Sequence, residues 1–267
     1  MQNNLLLKGV LTMTVPKSVQ SVQSVDRALS ILEVLSNHDS LSLVEISKKV
    51  DLHKATTYRL VNSLLENEYV EKIEATKHYR ISLKLFEIGN RRIQNISFLN
   101  VAKSMIHQLA LEIDQTVHLV IEDKQEVLYI DKHDPENSSN YMESKIGKKA
   151  SLYNTAVGKA ILSTKTNEEI KKYWDNTEIR PITQHTITEF PKFINLIEDA
   201  RENAFALDDE ENEIGIVCIG SSFSSHDNHA AGAISISISS KDRDLIPEYA
   251  KKIKETTSKI SRLLGGI

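Results

Sequence analysis

The chain has 267 residues, which is enough for one or two domains and a sizeable buried core. Charged residues make up 26% of it and the net charge at pH 7 is −4, so the composition argues against a nucleic-acid coat protein. A sequence-specific regulator is not excluded, because its positive charge can be local. The single cysteine, Cys218, excludes an intramolecular disulfide and a multi-cysteine zinc site.

The first residues show no targeting signal. Leu5, Leu6 and Leu7 form an apolar run that Lys8 interrupts, and this run is too short for a signal peptide. No apolar stretch approaches the length of a membrane span. We therefore expect a cytoplasmic protein with no membrane partner, in which residues 1–18 form a mobile N-terminal segment.

A first helix is predicted to begin at Ser24, which can cap it, and to end near Asn37. Asp26 is favourably placed in the first turn of this helix. Apolar residues at helical spacing predict its buried stripe: Val25, Ala28, Leu29, Leu32 and Leu35.

Residues 42–70 contain two helix patterns joined by a short break at 51–53. Ser42 and Glu45 form a capping box at the start of the first of these helices. The second is predicted from Lys54 to Asn67. Its apolar face is expected to hold Thr57, Val61, Leu64 and Leu65, and its opposite face Thr56, Arg59, Leu60 and Ser63.

The opposite face of this second helix is free of carboxylates, because no Asp or Glu occurs from Leu52 to Leu65. A short helix after a tight turn, presenting hydroxyl and arginine side chains, fits a DNA major groove. An ordinary helical hairpin with a solvated outer face fits the periodicity equally well. Residues 17–80 hold nine Lys or Arg and nine Asp or Glu, so DNA affinity would need charge segregation and a dimer.

A β-hairpin is predicted next, with strands at 69–73 and 78–82 around a polar turn. Helix, turn, helix and hairpin together describe a winged helix-turn-helix. Four segments resemble the IclR family of bacterial transcriptional regulators: Ser24–Leu32, Lys54–Leu60, Tyr79–Ile81 and Leu85–Gly89. The resemblance continues to about residue 265.

The predicted fold class is α+β. A winged helix-turn-helix domain is expected at 19–82, a linker helix at 83–97 and an effector-binding domain with a mainly antiparallel sheet at 98–267. The resemblance implies that this last domain has a GAF-like fold and binds a small organic acid. Its strands are predicted at 116–121, 127–131, 141–146, 214–222 and 231–239, and its helices at 101–113, 155–163, 167–174, 192–203 and 245–264.

Two segments of the second domain allow both a functional and a structural interpretation. The small residues of 153–160 begin a helix, where free backbone amides can hold a carboxylate, but close packing on the sheet explains them equally well. In 233–239, isoleucines and serines alternate and so occupy opposite faces of a strand. The serines are pocket hydrogen bonders if their face points inward, and are merely solvated if it points outward.

Residues 208–213 are predicted to form an acidic turn before a buried strand. Calcium-loop spacing is absent, so a solvated acidic loop is favoured over a metal site. The segment also fits the IclR pattern D-x-E-E-x-x-x-G-x-x-C, which is met by Asp208, Glu210, Glu211, Gly215 and Cys218.

The resemblance implies an effector pocket lined by Met142, Ala156, Val157, Asp208, Cys218, Ser235 and Ser237. Within the family, the segments 141–147 and 152–159 are most similar to regulators of sugar-acid breakdown. Glu68 and Ala204 replace glycines that are usual in the family. The preceding Asn67 and Asn203 are therefore expected to take the left-handed conformation.

DNA contacts are expected from the second of the paired helices, its flanks and the wing: Ser42, His53, Lys54, Ala55, Thr56, Thr57, Arg59, Leu60, Ser63 and Lys77. Arg59 and Lys54 would contact phosphate or guanine, while Thr56, Thr57 and Leu60 approach base edges. The wing would touch the adjacent DNA backbone.

The sequence thus predicts a transcriptional regulator, more a repressor than an activator, that binds a roughly palindromic double-stranded operator as a homodimer or homotetramer. No cofactor, metal or catalytic activity is expected. A small-molecule-binding protein without a DNA role is one alternative. A metal-dependent enzyme is the other, with His226 and His229 as ligands or with His118, Asp131 and His133 brought together on neighbouring strands. Neither a serine elbow nor a phosphate loop accompanies these residues.

Overall fold

The computed structural model describes residues 21–94, 96, 98–135, 145–225 and 230–266. The chain divides into two compact units, and the division falls between Asn95 and Ile96. The segment 1–18 and most of the strand expected at 141–146 lie outside the described residues.

The first unit is a bundle of helices with a two-stranded wing. In chain order its elements are α1 Gln23–Ser36, α2 Leu43–Lys49, α3 Lys54–Glu66, β1 Val70–Ile73, β2 His78–Ile81 and α4 Lys84–Gln94. The strands β1 and β2 pair antiparallel, as the hairpin pattern predicts. Residues from the first three helices, the loop before α2 and the wing form the core: Ile31, Leu35, Leu41, Ile46, Val61, Leu64, Val70 and Tyr79.

The starts of α1 and α2 differ in how their backbone amides are satisfied. The predicted capping box of α2 is present, since the Ser42 hydroxyl accepts from the Glu45 amide and the Glu45 carboxylate accepts from the Ser42 amide. The predicted Ser24 cap is wrong, because α1 begins at Gln23 and its N-cap is Val22, whose side chain makes no capping hydrogen bond. The Ser21 hydroxyl instead donates to Asp26 at 2.6 Å.

The stripe predicted for α1 is also partly wrong. Ile31 and Leu35 are buried at the centre of the packing face, with Ala28 and Leu32 against them. Val25 and Leu29 are about half exposed, at 52% and 53%. The buried face is therefore rotated away from the one that the spacing predicts.

The residues that replace the two family glycines adopt the left-handed backbone conformation. Glu68 has φ 61° and Ala204 has φ 59°. The expectation that Asn67 and Asn203 would take this role is wrong, since Asn67 has φ −91° and Asn203 is the last residue of its helix. At both positions a residue that has a Cβ therefore adopts a backbone conformation that favours glycine.

The second unit is an antiparallel sheet between helices. In chain order its elements are α5 Leu99–Ile113, β3 Thr116–Asp123, β4 Glu126–His133, β5 Lys149–Ser151, α6 Ala156–Leu162, α7 Asn167–Asp175, α8 Phe190–Asn203, β6 Ala206–Asp209, β7 Ile216–Ser224, β8 Ala230–Ser239, a 3-10 turn Ser240–Leu245 and α9 Ile246–Leu263. The described strands pair in the order β5-β4-β3-β8-β7-β6, and every neighbouring pair is antiparallel. The α+β class and the mainly antiparallel sheet are confirmed.

The two faces of this sheet are covered by different elements. Ser221 lies opposite Ile234 in the register of β7 and β8, and its hydroxyl is 3.0 Å from Thr257 of α9, so the isoleucine face packs under α9. Gly220 lies opposite Ser235, on the other face, where α6 crosses the sheet. Ser235 and Ser237 are buried there, at 3% and 4% exposure. The serines therefore point inward.

Gly220 permits the close approach of α6 to the sheet. A Cβ at this position would lie 2.5 Å from the carbonyl carbon of Ala156. We predict that Gly220→Ala lowers the free energy of unfolding by about 1–3 kcal/mol, because the backbone of α6 would have to move. Urea denaturation measures the change.

The matched control is Gly89→Ala in α4, where nothing lies within 4 Å of the added methyl group. This variant should be more stable by about 0.5–1 kcal/mol, since alanine favours a helix interior. Equal effects of the two substitutions would refute the packing role of Gly220.

Candidate functional sites

The first candidate site is the exposed surface of α3. His53, Lys54, Ala55, Arg59 and Ser63 are all exposed, as a DNA-reading surface requires. Neither Lys54 nor Arg59 forms an ion pair with any residue that the structure describes, so both cations are available to a partner.

Three of the expected DNA contacts have structural roles instead. Thr57 is fully buried and its hydroxyl donates to the His53 carbonyl at 3.3 Å, so it cannot approach a base edge. Leu60 is half-buried against the core of the first unit. Ser42 uses its hydroxyl in the cap of α2.

Tyr58 is an exposed residue of α3 that the sequence reasoning missed. Half of its surface is open to solvent. At 100° per residue, the direction opposite the buried face falls between Ala55 and Arg59, and Tyr58 lies closer to that direction than Leu60 does. The helical wheel contains this information once the buried face is fixed at Thr57, Val61 and Leu64.

The wing carries less free positive charge than α3. Lys77 pairs with Glu74 at 2.5 Å, and Arg80 pairs with Glu71. These four side chains are largely exposed, so each pair is weak and can exchange partners.

The second candidate site is a cavity of about 150 Å³ on the serine face of the sheet. Five of the expected pocket residues line it: Ala156, Val157, Asp208, Cys218 and Ser235. Ser237 lies directly behind, with its hydroxyl 3.1 Å from the Cys218 sulfur. Met142 is outside the described residues. The sequence reasoning missed seven further polar lining residues: His118, Tyr129, Lys148, Lys149, Thr155, Asn212 and Glu213.

The acidic segment after β6 forms part of the cavity wall, so the solvated loop favoured from the sequence is wrong. Asp208 and Glu211 are 4% and 5% exposed. Asp208 Oδ1 accepts the amides of Glu211 at 2.8 Å and Asn212 at 3.2 Å, and Glu211 pairs with buried Lys159 of α6. Glu210 is held by Arg243 at 2.5 Å and by the Gly215 amide at 2.7 Å. The carboxylates of Asp208, Glu210 and Glu211 thus stabilise the turn between β6 and β7.

The buried groups of the cavity are neutral or easily neutralised. Burial raises the pKa of Asp208 to about 7, against the opposing attraction of Lys159. Burial, with Lys132 nearby, lowers the pKa of His118 to about 3, so its imidazole is uncharged at neutral pH. Burial also raises the pKa of the Cys218 thiol, and it raises that of the Tyr129 hydroxyl. The buried part of the cavity therefore offers hydrogen-bonding groups with little fixed charge, and the charged side chains Lys148, Lys149 and Glu213 lie elsewhere in its wall.

His118 touches residues from two other strands. Its Nδ1 is 3.4 Å from the Ser235 hydroxyl, and its ring lies 5.3 Å from that of Tyr129. The idea that His118, Asp131 and His133 come together is wrong, because Asp131 and His133 contact α5 on the opposite face. His226 and His229 lie outside the described residues.

Within the described ranges, no three His, Cys, Asp or Glu side chains converge as a metal site. No described helix combines the length and apolar character that a membrane crossing needs.

The raised pKa of Asp208 predicts how stability depends on pH. Between about pH 4 and 7 the folded protein holds a proton that the unfolded chain has lost, so stability falls as pH rises. Asp208→Asn keeps the acceptor oxygen and removes the charge. Relative to this variant, the wild type should lose about 1.4 kcal/mol per pH unit from pH 5 to 7, measured by urea denaturation. Exposed Asp199→Asn is the control; a pH-independent difference for Asp208→Asn would contradict the prediction.

Comparisons with known families and proteins match both units. The model of the IclR helix-turn-helix domain matches residues 24–74, and that of the bacterial transcriptional regulator IclR C-terminal domain matches residues 90–262. The DNA-binding transcriptional repressor YiaJ of Escherichia coli strain K12 is 29% identical over 248 residues, covering 91% of this chain and 88% of that protein.

Two crystal structures are similar to this chain over nine tenths of its length. IclR of Thermotoga maritima is 32% identical with a TM-score of 0.80, covering 91% of this chain and 99% of that one. An IclR homologue from Microbacterium hydrocarbonoxydans, complexed with 4-hydroxybenzoate, also has a TM-score of 0.80 at 15% identity, over 90% and 98% of the two chains. The chain therefore belongs to the IclR family of bacterial transcriptional regulators.

Proposed function

We propose that this protein is a transcriptional repressor that binds a roughly palindromic DNA operator as a homodimer or homotetramer and responds to a small organic acid. The observation that carries the proposal is the exposed surface of α3, where Lys54 and Arg59 have no carboxylate partner among the described residues. The repressor role is supported by the 29% identical relative that is described as a DNA-binding transcriptional repressor.

The DNA would be read by α3 lying in the major groove. Arg59 and Lys54 contact phosphate or guanine, and Ala55, Thr56 and Ser63 approach base edges. His53 reaches the adjacent backbone, as does Lys77 of the wing after releasing Glu74. Two copies of this surface on two half-sites double the phosphate contacts, which the evenly balanced charge of the first domain requires.

The effector site would be the cavity on the serine face of the sheet. Lys148 at its wall forms no ion pair with any residue that the structure describes, so it can receive a carboxylate. Ser235, His118 and Asp208 can exchange hydrogen bonds with hydroxyl groups. These groups suit a hydroxylated acid such as a sugar acid. The homologue crystallised with 4-hydroxybenzoate holds an acid with one hydroxyl.

Effector control would be a shift between arrangements of the DNA-binding domains. A ligand changes operator affinity only if it binds one arrangement better than the other. For a repressor, the favoured arrangement releases DNA. We propose that the protein acts in the cytoplasm, where its operator lies.

No catalytic role is proposed. Cys218, the sole cysteine, has a pKa raised by burial and contacts Ser237, so it is a thiol and not a nucleophilic thiolate at neutral pH.

Arg59→Ala should weaken binding to the DNA upstream of the protein's own gene by at least about tenfold, since a charge-assisted contact is lost. The slope of log affinity against log salt should also fall by about 1 per phosphate contact removed. Fluorescence anisotropy at several salt concentrations measures both. Arg262→Ala, an exposed arginine of α9, is the charge-matched control. Identical DNA affinity and identical salt dependence in the two variants would contradict a role for the α3 surface in DNA binding.

Lys148→Ala should lower the affinity for an acidic effector by about tenfold, because one charge-assisted hydrogen bond disappears. Isothermal titration with a panel that includes gluconate and 4-hydroxybenzoate measures the loss for whichever acid binds the wild type. Operator affinity without effector should not change. Exposed Lys241→Ala should titrate like the wild type. An unchanged affinity for Lys148→Ala would exclude Lys148 as the carboxylate partner.

A further inference from the structure

Two histidines meet on the face of the sheet away from the cavity. His107 of α5 and His133 of β4 have their Nδ1 atoms 3.2 Å apart, and their ring centroids are 4.8 Å apart. His107 is exposed and the side chain of His133 is 30% exposed, so solvent and ions reach the pair. Two imidazole lone pairs facing each other repel unless a proton or a cation lies between them.

A β-bulge places this pair on the opposite face from the cavity. The register of β3 with β4 shifts between Leu119 and Val120, so Tyr129 turns into the cavity while Asp131 and His133 lie under α5. Bulges commonly re-aim a side chain in this way. One strand therefore contributes to both sites.

The spacing of the two nitrogens fits a shared metal ion. Zn²⁺ binds imidazole nitrogen at about 2.0–2.1 Å with tetrahedral angles, which places two ligand nitrogens about 3.3 Å apart. The observed 3.2 Å therefore allows an ion between them with little movement.

Asp131 lies beside His133. A histidine that binds a metal through one ring nitrogen usually has a carboxylate, a carbonyl or a water next to the other. The Oδ2 of Asp131 is 3.8 Å from Nε2 of His133, the ring nitrogen that points away from His107. At this distance the carboxylate does not hydrogen-bond to Nε2, but its negative charge favours a proton there and so favours Nδ1 as the metal ligand.

We propose that His107 and His133 bind a divalent transition-metal ion of the class that imidazole prefers, such as Zn²⁺ or Ni²⁺. Since no third His, Cys, Asp or Glu joins them among the described residues, water fills the remaining coordination positions. Lys103, which pairs with Asp131 at 3.6 Å, places a positive charge beside the ion and weakens its binding. Bound metal would fasten α5 to β4, the strand that carries Tyr129 into the cavity.

Isothermal titration of the full chain with ZnCl₂ and NiCl₂, after treatment with chelator and dialysis, tests this site without DNA or effector. His107→Ala and His133→Ala should each weaken metal binding by at least about tenfold, and Asp131→Asn by about tenfold. Lys103→Ala should tighten it. His38→Ala and His185→Ala, which remove exposed histidines elsewhere, should leave the titration unchanged.

His107→Gln replaces His107→Ala if circular dichroism shows that the alanine variant is unfolded. Metal affinities of the His107 and His133 variants equal to that of the wild type would overturn the proposal. So would a wild type that binds neither ion at millimolar concentration, because the two rings then share only a proton.

Discussion

A buried ion pair between Lys159 of α6 and Glu211 after β6 ties the helix to the turn that forms one wall of the cavity. The two side chains are only 2% and 6% exposed. Leaving either charge unpaired in such an environment costs about 3–5 kcal/mol, so each residue requires the other. The pair fastens α6 to the turn in which Asp208 accepts two backbone amides. Since Ala156 and Asp208 both line the cavity, its shape depends on this link.

Strict alternation along β8 separates the two faces of the sheet. Its isoleucines pack under helices, and its serines turn toward α6 and the cavity. Gly220 lets the backbone of α6 approach closely, and the bulge in β3 and β4 sends Tyr129 to one face and His133 to the other. The sheet thus supports a polar cavity and a separate histidine pair with the same strands. A ligand in the cavity and an ion at the histidine pair would therefore both contact β4, through Tyr129 and His133 respectively.

Sequence periodicity predicts the elements whose pattern is local. The helix α3, the wing hairpin and the long strands of the sheet follow from spacing alone, with ends shifted by no more than two residues. The short strands β5 and β6 could not be predicted this way, because three or four residues carry too little periodicity on their own. The wing strands are as short, but the polar turn between them marks the hairpin. The family pattern supplied five of the residues that line the cavity, and composition and spacing do not reveal these five.

Other features depend on partners distant in the chain. Glu211 lies 52 residues from Lys159, so no local reading of the acidic segment shows that it is buried. His118 enters the cavity only because the register sets it beside Ser235, 117 residues away. Thr57 is misassigned for a local reason. Its polar hydroxyl suggests a DNA contact, but a threonine in a helix can donate to the backbone carbonyl four residues earlier and be buried, as Thr57 does with His53.

The proposed function predicts that two copies of the α3 surface meet duplex DNA together. Nuclease footprinting of the wild-type protein on the DNA upstream of its own gene tests this most directly. Two protected half-sites should appear, centred a whole number of helical turns of about 10 base pairs apart. A complete absence of protection at low ionic strength, with and without organic acids, would contradict it.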